Sequence, residues 1–136
     1  MTRLYVVVRN EMASMTAGRI AAQVSHASTK MMNDIQKSNN ADNKEMLTNW
    51  LNEADGFGTT IVLRPSKDKD QVAEIRNLVN LSRFSFPTVC SDVVIDPEYY
   101  IMDGNVPVRQ ENVLTCAYFL GDVDQIKSLL GHLDLL

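Results

Sequence analysis

Much that would announce a particular chemistry is scarce or missing. The 136 residues hold two cysteines, Cys90 and Cys116, and two histidines, His26 and His132. Isolated cysteines inside apolar runs read as buried thiols rather than as a bridge. Two histidines so far apart lack the close spacing of a catalytic zinc site. No P-loop, nucleophile elbow, GxGxxG, CxxC or paired-His motif occurs. No apolar stretch approaches the ~18 residues of a membrane helix. The run at 4–8 is too short for the core of a secretory signal, and nothing resembling a cleavage site follows it. A cytoplasmic protein without metal, cofactor or membrane contact is therefore expected. Linkers, low-complexity tracts and internal repeats are also absent.

What is there describes an ordinary globule. Apolar residues make up 45% and charged residues 22%, which argues against disorder. The length fits one domain, 1–136. A chain of this size buries roughly 68–70% of its unfolded surface and needs no cross-link to hold a core. The net charge of −4 comes from 13 basic against 17 acidic side chains. Taken whole, that is a poor footprint for nucleic acid. The distribution is uneven, however. Residues 1–40 carry a balance of +3, and the remaining 96 carry −7. An anionic partner is to be sought near the N-terminal third.

Leu4-Tyr5-Val6-Val7-Val8 is a β-branched run suited to a strand buried on both faces. Residues 17–37 read as a helix, with Ile20, Val24, Ala27, Met31 and Ile35 on one stripe and Thr16 as N-cap. Further along, the pattern predicts a helix at 44–54, a strand at 59–63, a helix at 68–81 and a strand at 87–94. A long loop or added hairpin at 96–112 contains Pro97, Pro107 and the turn signal Asp103-Gly104. A strand at 113–120 and a helix at 122–130, with Asp122 as N-cap, complete the order β-α-α-β-α-β-β-α. The expected fold is a three-layer α/β/α domain, its four-stranded mixed sheet covered by helices on both faces.

One segment carries chemistry. Arg19, Gln23, His26 and Lys30 recur at steps of four, three and four, which makes one polar stripe on the first helix. Arg19 falls in the first turn, beside backbone N–H groups that lack helical partners. Such a place suits a phosphate or a developing oxyanion, although a cation there opposes the helix dipole. The stripe also reads as a plain solvated face, and a lone helical His is ordinarily a structural residue.

Val6-Val7-Val8-Arg9-Asn10-Glu11-Met12, followed by Gly18-Arg19-Ile20-Ala21-Ala22-Gln23-Val24-Ser25-His26-Ala27, resembles the N-terminal signature of type 2 peptidyl-tRNA hydrolases. That signature is V-V-R-x-D-L, a Gly/Lys-rich loop, then G-K-I-A-A-Q-x-x-H-A. The ending Gly131-His132-Leu133-Asp134-Leu135-Leu136 is similar to the family's G-H-L-K-L. The resemblance implies hydrolysis of the ester joining a peptide to the 3′ ribose of tRNA, with water as nucleophile and no cofactor. The implied partner is peptidyl-tRNA, and relatives suggest a homodimer.

Residue by residue, the resemblance places the family lysine on Arg19, which keeps the charge but cannot relay a proton. Gln23 and His26 match directly. An earlier family lysine falls on Ala17. The family aspartate opens a D-A-G-x-T-Q loop after the third strand. Asp92 is the match by position, but Val93-Val94-Ile95 follows it. The family's T-C-x-x-x-G stretch matches Thr115-Cys116, with Gly121 one place further along. The candidate catalytic residues are thus Arg19, Asp92, His26 and Thr115. The candidate substrate-binding residues are Gln23, Arg9, Lys30, Thr16 and Arg109, with Tyr99 and Tyr100 available for stacking on a base. Two readings follow: a peptidyl-tRNA hydrolase, or a catalytically weakened relative that binds RNA, a nucleotide or a protein on the same scaffold.

Overall fold

The computed structural model describes all of residues 1–136. The first strand, β1 (Thr2–Val8), runs up the middle of a sheet and leads through the 9–16 loop into α1 (Ala17–Lys37) and α2 (Ala41–Leu51). There follow β2 (Thr60–Arg64), α3 (Gln71–Ser85) and β3 (Cys90–Asp96). A hairpin, β4 (Tyr99–Asp103) with β5 (Val106–Gln110), precedes the long β6 (Val113–Asp122). The chain closes with α4 (Val123–Leu130) and a short β7 (Asp134–Leu135).

The main sheet has five strands in the order β3-β6-β1-β2-β7, not the four expected. The fifth is β7, a two-residue strand too short to show any periodicity. It pairs with β2 through Leu63 and Arg64. Only β1 and β2 run parallel; the other pairs are antiparallel. The 96–112 segment resolves as a separate two-stranded hairpin around Gly104-Asn105. Gly104 adopts φ +63° there, a conformation cheap only for glycine.

Both faces of β1 are covered, as its continuous apolar run requires. Leu4, Val6 and Val8 pack with Ala27, Met31 and Ile35 of α1 and with Leu47 and Trp50 of α2. Val7 packs on the other side with Ile75, Leu78 and Val79 of α3 and with Ile126 and Leu129 of α4. Each such side chain contributes about 1.5–3 kcal/mol on burial, so the two-sided strand is the spine of the fold.

Several boundaries shift for local reasons. Asn40 accepts hydrogen bonds from the N–H groups of Asp42 and Asn43 and starts α2 three residues early. Asp70 caps α3 through the Ala73 N–H, which delays that helix. Thr16 holds the N-cap place of α1, but its side chain makes no capping bond. Asp122 caps α4 through the Asp124 N–H, as expected. The third strand begins and ends later than its apolar run, so that Asp96 closes it.

Candidate active site

The C-terminal ends of β1 and β3 and the start of β6 lie side by side, because both β1 and β3 run antiparallel to β6. Ligand sites in open α/β sheets favour the carboxyl ends of strands. Here the ladder between β3 and β6 breaks. Val94 pairs with Cys116 but Ile95 pairs with Leu114, which leaves Thr115 as the extra residue of a β-bulge. A bulge re-aims a side chain, and this one has a visible consequence. Leu114 packs in the α3/α4 core and Cys116 in the α1/α2 core. Thr115 would fall on the α3/α4 side in a regular strand. Instead it joins Cys116 beneath α1.

There it meets Gln23. This side chain sits on the buried face of α1, only 3% exposed, although the sequence pattern set it on an outward polar stripe. The Thr115 hydroxyl donates to Gln23 Oε1 at 2.6 Å. The amide's other end, Nε2, donates to Asp96 Oδ2 at 2.8 Å. A buried polar side chain between two partners is satisfied at both ends. The two bonds together fix which way the amide points. Asp96 also accepts the Glu98 N–H on Oδ1 at 2.8 Å. The Cys116 thiol, beside this chain, is pushed up to about 12 by burial and stays protonated. It is no nucleophile at neutral pH.

Arg19 stands over this network. Its guanidinium donates to the Tyr100 carbonyl and lies 5.3 Å from the centre of the Tyr99 ring, within cation–π range. Tyr99 itself is buried, with its hydroxyl 2.9 Å from Ser14 Oγ. It therefore holds Arg19 and the 9–16 loop instead of presenting a face to a base. Arg9 is pinned below, donating to the Leu114 carbonyl at 3.0 Å and pairing with Glu11.

A small recess of about 180 Å³ brings Arg19, Gln23, His26 and Asp96 together with Glu98 and Tyr100. His26 is exposed and stands at its rim. On one side the recess shares Arg19 and Tyr99 with a cleft of about 710 Å³ that Thr16 and Arg9 also line. On the other side it shares His26, Asp96 and Glu98 with a trough of about 690 Å³ reaching Lys30 and Lys37.

The chain matches the family model for peptidyl-tRNA hydrolase PTH2 over residues 2–136. It belongs to that family. It is 41% identical to the peptidyl-tRNA hydrolase of Sulfurisphaera tokodaii over 68 residues, 50% of this chain and 54% of that protein. It is 29% identical to the enzyme of Sulfolobus acidocaldarius over 136 residues, 98% of this chain and 99% of that one. The match to the Saccharolobus solfataricus enzyme is 42% over 53 residues, 39% of this chain and 43% of the relative. In two of these matches the chain thus spans about half the length of the relative or less; in the other it spans nearly all.

Within the family frame, Arg19, Gln23 and His26 share the recess, and Thr115 joins them through Gln23. Asp92 does not join them. Its carboxylate receives Arg83 at 2.8 Å and Lys30 at 3.1 Å, four residues back along β3 and so about 13 Å from Asp96 at ~3.3 Å per residue. Lys30 is engaged there and with Asp34 at 3.0 Å. Partial burial works to lower its pKa, but the two carboxylates outweigh it and raise the value above the ordinary lysine range. Arg109 pairs at 3.6 Å with Glu98, which lines the recess, but is not itself part of that lining.

Asp96 is the residue sequence reasoning missed. Followed by Pro97, it reads as the first residue of a turn. Pairing with Val113, past the bulge, carries β3 on to it.

Proposed function

We propose that this chain hydrolyses the ester linking a peptide to the 3′ ribose of tRNA, with Asp96, rather than Asp92, as the carboxylate that handles water. The observation that carries this reading is the line Thr115–Gln23–Asp96 ending beneath the Arg19 guanidinium in one recess. In that arrangement Asp96 accepts a proton as water adds to the ester carbonyl carbon. Negative charge then develops on the carbonyl oxygen, where Arg19 supplies N–H donors not used by Tyr100. The tetrahedral adduct collapses by releasing the ribose oxygen, which takes the proton back from Asp96. The products are a free peptide acid and tRNA. Thr115 and Gln23 act as positioning residues, fixing the direction of the Asp96 carboxylate. Arg19 serves charge alone, since its guanidinium keeps its protons.

Supporting this assignment, Asp96 closes the third strand, the place at which the family aspartate opens its loop. The site of action would be the cytoplasm; no helix is long and apolar enough to cross a membrane. A homodimer is inferred from the family. Phe84, 92% exposed on α3, is a side chain such a contact would cover, and sedimentation of the full chain tests it.

The deciding experiment follows release of tRNA from peptidyl-tRNA with a blocked amino group. Wild type should release it, and Arg19→Ala should do so at least ~10²-fold more slowly, as when a main oxyanion donor is removed. Binding of tRNA with no release at high protein concentration would instead favour a binding module.

A further inference from the structure

The proposed substrate is two unlike pieces joined at one ester: a polyanionic RNA end and an uncharged or variably charged peptide. The site is likewise two unlike spaces joined at one recess. The trough beyond His26 is lined by Asp34, Asp96 and Glu98 as well as by Lys30 and Lys37, so its carboxylates outnumber its lysines. The cleft beyond Tyr99 has no carboxylate in its lining but includes Arg9 and Arg19. Its walls are apolar on two sides: Met12 from the 9–16 loop, and Ile101 and Met102 from the hairpin, with Val113 between them. Mostly apolar concavities with a few polar groups are the usual form of a small-molecule site, and Met side chains adapt to a flat ring.

Taking the ester to lie in the recess, and so resting on the hydrolase reading, we propose that the cleft between the 9–16 loop and the β4–β5 hairpin holds the 3′-terminal nucleoside of tRNA. The base would lie against Met12, Ile101 and Met102. Gln110 would reach its polar edge, since a glutamine side chain can pair with adenine through one donor and one acceptor. The adjoining phosphate would face Arg19. The peptide would then leave along the trough and the exposed side of α1. The logic is one of constancy as well as charge. All tRNAs carry the same last nucleotide, so a shaped pocket can serve every substrate. Peptides vary, and an open polar trough selects among them little. The hairpin thereby becomes the element that grips the RNA end.

The test is binding of a labelled ribotrinucleotide, cytidine-cytidine-adenosine, against one ending in cytidine, followed by fluorescence anisotropy. Wild type should prefer the adenosine end. Met102→Glu puts a carboxylate into the cleft opposite the phosphate. It should weaken binding roughly ten-fold and erase the preference, as loss of a central contact does. Val106→Glu, at the exposed tip of the same hairpin, should change neither, and circular dichroism of both variants checks folding. Equal binding by wild type and Met102→Glu, or no binding by wild type, overturns the proposal. So does a release assay in which Met102→Glu alters the preference for the esterified residue's side chain, which would assign the cleft to the peptide. Trinucleotide binding that depends on Met102, without any ester release, would sink the hydrolase reading and leave the nucleoside pocket standing.

Discussion

Asp92 and Asp96 lie on one strand, four residues apart, in opposite electrical settings. Asp92 is closed between Arg83 and Lys30, with the Val93 N–H on Oδ1 as well. Lys30 in turn reaches Asp34, which also accepts the Tyr118 hydroxyl at 2.8 Å. That group ties α1, α3 and the β3–β6 edge together. Asp96 has no ion-pair partner; its hydrogen bonds come from a side-chain amide and a backbone N–H, both neutral. A carboxylate between two cations has its charge answered and its lone pairs filled. A carboxylate oriented by neutral donors keeps a charge available to a reactant. The first arrangement suits holding elements together, the second suits handling a proton. Identity of residue type and strand does not separate them; their neighbours do.

Exchanging each carboxylate for its amide tests this contrast most severely. Asp96→Asn keeps shape but removes the group proposed to accept water's proton, so release from peptidyl-tRNA should fall by about 10²–10⁴-fold. Asp92→Asn should leave release near wild type. If Asp92→Asn proved the more damaging of the two, the roles drawn from their surroundings would be reversed.

A smaller effect is expected one step back along the network. Thr115→Val keeps the volume at a fully buried position and removes the donor to Gln23 Oε1. Leaving a buried acceptor unpaired costs about 1–3 kcal/mol, visible as a lower denaturation midpoint. The freed amide would hold Asp96 less firmly. Turnover should therefore drop, by roughly ten-fold, while KM stays the same, the pattern of an interaction felt only at the transition state. Thr115→Ser retains the hydroxyl and should restore most of the turnover. A purely structural threonine would show the stability change without the split between turnover and KM.

The same contrast marks what could be read without coordinates. The central strand, the first helix and the family motif were legible because apolar periodicity and motif spacing are local properties. The sequence groups Gln23 with Arg19, His26 and Lys30 on a polar stripe of α1. It lies inward because it stands one helical turn before Ala27, on the buried line Gln23, Ala27, Met31, Ile35; its amide hides that phase from a reading of apolar residues alone. Asp96 was hidden by the bulge, an event in pairing between strands far apart in sequence. Asp92 matches the family aspartate by position in the sequence, whereas the pairing of the third strand runs on to Asp96. β7 was missed because two residues have no period. The hairpin was open as one of two alternatives, and the Asp103-Gly104 signal pointed to the right one.

The least of the expected effects lies at Asp92 and concerns pH. Asp34 and Asp92 hold Lys30 protonated above the ordinary lysine range, against the opposing pull of partial burial. Burial and the Asp34 carboxylate likewise keep the Tyr118 phenol protonated well beyond its usual range. The Lys30 value is raised in the folded chain. Its share of stability is therefore complete below the unfolded value of about 10.4 and is lost as pH rises through the folded one. Melting wild type and Asp92→Asn from about pH 7 to about pH 11 should show a constant small gap that narrows only at the alkaline end. Arg83 stays charged throughout, so the gap should not close entirely. The groups are partly exposed, and added salt should also shrink the gap. A gap that stayed unchanged to the alkaline end would mean that the Lys30 charge has no share in it.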